Sequence, residues 1–127
     1  MNKKFATAIN CIDGRIQIPV IKYLKNSLSV DYIDMITEPG PNKILSENKD
    51  LDIIKSLREK IKTSIKKHDS DTVIIVGHYD CAANPESKEI QIKQLLNSID
   101  IVSSWRLDLK RVFALWLDKN FKPTIID

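Results

Sequence analysis

Cys11, His78 and Cys81 are the residues of this sequence best suited to hold a metal ion, since two thiols and an imidazole form a soft-to-borderline donor set typical of zinc. The first lies in Cys11-Ile12-Asp13-Gly14-Arg15 and the other two in Gly77-His78-Tyr79-Asp80-Cys81. Each segment follows an apolar run that reads as a strand, so the 66 residues between Cys11 and His78 must fold to bring them to one point. Three protein ligands is the number a catalytic zinc uses while keeping a fourth position for water or substrate; a structural zinc takes four. There is no third cysteine. The other histidine, His68, sits in Lys66-Lys67-His68-Asp69-Ser70, where a surface position capping a helix end is expected.

A zinc ion so held lowers the pKa of its water toward neutrality, so that hydroxide can attack an electrophilic carbon. Two thiolates make it a weaker Lewis acid than three imidazoles would. Asp13 is placed to accept the hydroxide's remaining proton, with the Arg15 fork fixing its carboxylate. Alternatively, Asp13 takes the fourth zinc position itself, and Arg15 holds or releases it. Taken singly, Cys11 could be a small buried hydrophobe, and Asp13 with Arg15 a surface ion pair of little energetic weight. The matching context of all five residues favours the site. A phosphate-clamping loop with Cys11 as nucleophile fits poorly, because three residues separate it from Arg15 where that chemistry uses five in a glycine-rich cradle. Tyr79 and Asp80 read as turn residues or supports.

The elements that must position these groups alternate. Phe5 to Ile9, Val30 to Ile36, Thr72 to Val76 and Val112 to Leu117 are short apolar runs of strand length. Between them lie three helical patterns. One starts at Pro19 and ends near Ser29, one runs from about Asp50 to Lys67, and one opens at Asn84-Pro85-Glu86 and reaches about Ser103, burying Ile92, Leu95, Leu96, Ile99 and Val102. Alternation of this kind predicts an α/β fold, a mostly parallel four-stranded central sheet with helices on both faces. Ligands of such sheets collect beyond the carboxyl ends of the strands. If the first and third strands are neighbours, about 4.8 Å apart, Cys11 and His78 meet there. The Thr37-Glu38-Pro39-Gly40-Pro41 segment should form a rigid loop on the same edge, with Glu38 facing the metal or a solvated turn. Trp105 and Trp116 read as core or interface aromatics.

The bulk properties set limits. A chain of 127 residues is expected to form one domain, 1–127, and its 43% hydrophobic and 29% charged content suits a folded protein. The 20 Lys and Arg against 17 Asp and Glu leave only +3, spread along helical stretches, so no nucleic-acid partner is expected. No apolar run reaches the ~18 residues of a membrane span, and Met1-Asn2-Lys3-Lys4 leads into a strand rather than a signal peptide. A cytoplasmic protein with reduced cysteines and no membrane partner is expected.

With these motifs in hand, the sequence resembles the β-class carbonic anhydrases, whose zinc is held by Cys-x-Asp-x-Arg after the first strand and His-x-x-Cys after the third. The resemblance covers about Phe5 to Leu117 and is sharp at those two motifs. It implies that Cys11, His78 and Cys81 bind one Zn2+ per chain. It also implies that Asp13 and Arg15 form the catalytic dyad, that the reaction is reversible hydration of carbon dioxide to bicarbonate, and that the chain pairs as a homodimer. Phe121 to Ile126 and the second-strand loop are the expected contact. In the family a resting form exists in which the aspartate binds zinc. Two features differ from the family pattern. Ala82 stands where glycine is usual after the second cysteine, and Thr37-Glu38-Pro39-Gly40 replaces an Arg-Asn-Ala-Gly loop. From the position of Cys11, the helical extension of many relatives is not expected ahead of it. Carbonyl sulfide or carbon disulfide hydrolysis, and a silent zinc-binding or sensing module, are the other activities this site could serve.

Overall fold

The computed structural model describes residues 3–127; Met1 and Asn2, part of the expected lead-in to the first strand, lie outside the described residues. Runs rich in Val, Ile and Ala form four parallel strands, β1 (Phe5–Cys11), β2 (Tyr32–Glu38), β3 (Thr72–His78) and β4 (Arg111–Leu117). A fifth, β5 (Pro123–Ile126), adds antiparallel to β4, giving the order β2-β1-β3-β4-β5. The mostly parallel sheet is as expected, with one strand more than the four foreseen. β5 is only four residues long and begins at Pro123, so its signal in sequence is faint; proline is tolerated at the first residue of a strand. Most of the segment expected at a subunit contact is thus used as a strand of this chain.

Among the described residues four α-helices cover the sheet: α1 (Gln17–Leu28), α2 (Pro41–Glu47), α3 (Leu51–His68) and α4 (Lys88–Ser104). On one face, Ile16, Val20 and Leu24 at and within α1 pack on Ala6, Ala8, Ile74, Val76, Phe113 and Leu115. On the other, Leu45 of α2, Ile54, Leu57 and Ile61 of α3, and Leu95 and Val102 of α4 enclose Ile9, Val73, Ile75, Ala114 and Trp116. Burial on both faces explains why β3 reads as an unbroken apolar run. Trp116 is a core residue, and Trp105 is half-buried with the Arg58 guanidinium 4.9 Å from its ring centroid. Among the described residues no helix is long and apolar enough to cross a membrane.

Several boundaries differ from those expected. β1 and β3 run on to Cys11 and His78, which are therefore the last residues of their strands rather than loop residues. The expected loop Thr37 to Pro41 is divided: Thr37 and Glu38 finish β2, and Pro41 starts α2, its fixed φ suiting the first helical turn. Gly40 makes the junction at φ +60°, where a Cβ would also come within 3.1 Å of Asn84 Cβ. The last helix starts at Lys88 with Ser87 as cap, its Oγ accepting from Ile90 N at 3.3 Å. Asn84 cannot cap it, because its side chain is fully buried and bonded to Gln94. Along α4, Leu96 is exposed while Gln91 and Ser98 are buried, the reverse of what hydropathy predicts.

Candidate metal centre

β1 and β3 are neighbours, so their carboxyl ends deliver Cys11 and His78 side by side, and the turn after β3 returns Cys81 to them. The ligand atoms of Cys11, His78 and Cys81 all lie within 4.8 Å of one another, and all three residues are at least 96% buried. The two sulfurs are 3.9 Å apart. Two zinc–sulfur bonds of ~2.3 Å at a tetrahedral angle separate sulfurs by about 3.8 Å, so the pair is spaced for a shared ion. Among the described residues no carboxylate joins this cluster.

The imidazole is oriented for the same purpose. His78 Nδ1 is 2.8 Å from the Tyr79 carbonyl, which can only accept, so Nδ1 carries the proton. In the neutral imidazole Nε2 is then a lone pair, buried and, among the described residues, without a hydrogen-bond partner. An orphaned buried nitrogen is costly unless something fills the site, and a divalent ion bound by this nitrogen and two sulfurs would fill it.

Protonation follows from the crowding. Cys11 is lowered to about 4, chiefly because it accepts a hydrogen bond from the Cys81 thiol; burial opposes this, and the adjacent His78 imidazole and then the Gly40 and Asp13 N–H groups add to it. Cys81 is pushed up, first as that donor and then by burial, although the Ala83 and Asn84 N–H groups oppose the shift. The two sulfurs thus share one proton. Burial lowers His78, but the Cys11 sulfur and the Tyr79 carbonyl more than reverse it, and the net shift is upward.

Asp13 and Arg15 stand beside the cluster, locked to each other. Asp13 Oδ1 accepts from the Arg15 N–H at 2.9 Å and from Nε at 3.0 Å, and Oδ2 accepts from Nη2 at 2.7 Å. This guanidinium holds the Asp13 carboxyl down at about 2, and Asp13 in turn raises Arg15. Arg15 also spans to the second ligand segment, donating to the Asp80 carbonyl at 3.1 Å and its carboxylate at 3.3 Å. Asp80 adopts φ +59°, a left-handed conformation that aspartate tolerates better than most residues, so it is both turn residue and support.

Several contributors were not read from the sequence. Asn10 accepts from Cys11 N at 2.9 Å, and Gln17 Nε2 donates to the carbonyls of Cys11 at 2.7 Å and Asp13 at 2.9 Å. These amides fix the turn on which Asp13 is mounted. Glu38 pairs in register with Cys11 at the end of β2, half-buried, and is not among the clustered ligands. His68 lies at the other end of the sheet, stacked on Phe5 and bonded through Nδ1 to Asp34 at 2.6 Å, as befits a surface position at a helix end.

Over residues 1–127 the sequence matches the family described as "Putative carbonic anhydrase". The chain belongs to this carbonic anhydrase family. Its membership bears out the resemblance carried by the two motifs. Similar solved structures include the b-carbonic anhydrase CafA of the fungal pathogen Aspergillus fumigatus, 14% identical, with 99% of this chain covering 76% of that one at a TM-score of 0.48. A likeness that distant assigns no role to any residue. No curated protein matches the chain.

Proposed function

We propose that residues 1–127 form a single zinc-binding domain that catalyses the reversible hydration of carbon dioxide to bicarbonate. Cys11, His78 and Cys81 hold the ion, and the buried, unpartnered His78 Nε2 facing two sulfurs is the observation that carries this reading. The ion, when bound, supplies a water of near-neutral pKa as nucleophile. Asp13 would accept a hydrogen bond from that nucleophile and turn its lone pair toward the carbon; the low pKa keeps the carboxylate ionised, and so an acceptor, throughout the working range. Arg15 holds both Asp13 oxygens, and its donation to the Asp80 carbonyl ties the two ligand segments together. With both oxygens so occupied, an Asp13 that orients the nucleophile is favoured over one locked on the metal in a silent module.

Ile12, Ile18 and Tyr79 are exposed next to the site residues in sequence, which supports a homodimer covering that apolar margin. Free cysteines suit a reducing, cytoplasmic setting. The test is metal analysis of the purified protein with carbon dioxide hydration measured across pH, beside Asp13→Ala and Arg15→Ala. Stoichiometric zinc with activity lost in both variants is expected. Zinc without hydration at any pH refutes the proposal, and turnover of carbonyl sulfide instead would reassign the substrate.

A further inference from the structure

Gln91 is a buried amide near the site that the proposed chemistry leaves without a role. It lies within α4, 1% exposed, where a leucine would serve packing better. Burying a primary amide is costly unless it is bonded, and its Nε2 faces carbonyls of the segment that carries His78 and Cys81. Nε2 donates to the His78 carbonyl at 2.9 Å and lies 3.4 Å from the Asn84 carbonyl and 3.5 Å from that of Glu86. Oε1 accepts from Asn42 Nδ2 at 3.2 Å. Three carbonyls around one atom require that atom to be the donor, which fixes the orientation of the amide.

The consequence passes along the backbone. The His78 carbonyl and the Tyr79 N–H belong to one peptide plane. Gln91 holds its oxygen, and Leu117 accepts from its nitrogen at 2.9 Å. The next carbonyl, that of Tyr79, accepts from His78 Nδ1 and so aims Nε2. At the far side of the turn, Asn84 N donates to the Cys81 carbonyl at 3.2 Å, and Asn84 Nδ2 donates to Gln94 Oε1 at 2.7 Å. Asn42 donates to Gln94 as well as Gln91, so α2 closes the cluster. Gly77 leaves room for it, since a Cβ there would stand 3.0 Å from both Asn42 Nδ2 and Gln91 Oε1.

We propose that Gln91 is a positioning residue for the metal ligands: its amide sets the peptide plane of His78 and the return of the Cys81 turn, so that nitrogen and sulfur meet at one point. This rests on the metal-binding reading above, and the experiment separates the two. The full chain is titrated with Co2+ and with Zn2+ in competition with a chelator, following Co2+–thiolate absorption. Gln91→Met keeps the volume and removes the bonds; it is expected to weaken both metals about 10–100-fold and to alter the Co2+ spectrum. Should that variant fail to fold, Gln91→Glu keeps the acceptor for Asn42, lacks the amide donor, and is expected to show the same loss.

Ser98→Ala gives the contrast. Ser98 is fully buried and bonds only the Asn42 and Gln94 carbonyls, so its loss should lower thermal stability and leave metal affinity within about twofold. Equal affinity and spectrum in both Gln91 variants overturn the positioning role alone. A loss in Ser98→Ala as large as in Gln91→Met also overturns it, since the cluster would then act only through general stability. Failure of the unaltered chain to bind either metal overturns the metal site and, with it, this role.

Discussion

Metal binding by this protein should be strongly pH-dependent, with a proton count that the free cluster dictates. At pH 7 Cys11, lowered to about 4, is a thiolate, while Cys81 is pushed up and remains the thiol that donates to it. A bound ion takes both sulfurs as thiolates and takes His78 through Nε2, which must be unprotonated. The Cys81 proton must therefore leave in full. His78 is raised above its ordinary value of 6.5, so a further fraction of a proton leaves from the imidazole near neutrality. The release is between one and two protons per ion. Each proton released makes affinity rise about tenfold per pH unit, about 1.4 kcal/mol. The slope should be near one in mild alkali and approach two below the His78 pKa. Calorimetric titration with Zn2+ in two buffers of different ionisation enthalpy reads the count directly. Fewer than half a proton at pH 7, or an affinity flat from pH 6 to 8, would refute the shared-proton picture of the two sulfurs.

Asp13→Asn tests the dyad through acid stability of the metal-free protein. Because Asp13 is held at about 2 against an ordinary 3.8, its contribution is present above about pH 3.8 and lost as pH falls toward 2, where parent and variant should converge in chemical denaturation. The difference at neutral pH should stay below ~1 kcal/mol, since the Arg15 partner is half-exposed; a larger, pH-independent difference would show that Asp13 acts by other means. Gly77→Ala drives a methyl to 3.0 Å from two amide atoms and should destabilise the fold by about 1–3 kcal/mol, and an unchanged denaturation midpoint would show that the amide cluster yields freely.

The sheet and the clustering of the candidate metal ligands were legible because they rest on strong local signals. Val73 to Val76 can be little other than a doubly buried strand, and a strand that ends in His78 next to one that ends in Cys11 predicts their meeting. Asp13 and Arg15 were legible through their spacing from Cys11, and the structure places them bonded to each other beside the cluster. What escaped were short elements and polar burial. α2 has seven residues, too few for a helical period to show, and only Gly40-Pro41 hinted at its start. β5 has four.

Asn42, Gln91 and Ser98, all at helix positions, escaped for a different reason, which also explains why they are there. A polar side chain at a helix position reads as exposed, and only the spacing of Gln91 and Ser98 with Leu95 and Val102, all on one face of α4, betrays burial. Packing alone would favour leucine at each such position. Leucine, however, cannot hold a carbonyl, and the segment from His78 to Glu86 carries backbone acceptors that no strand or helix satisfies. Sequestering those acceptors without donors would cost about 1–3 kcal/mol apiece, comparable to what an apolar side chain gains by burial. The amide cluster is thus the condition for placing an irregular turn, and the ligand it carries, inside the protein rather than on its surface. The turn lets His78 and Cys81 reach one cluster with Cys11, whereas a continued strand would send side chains three residues apart to opposite faces of the sheet.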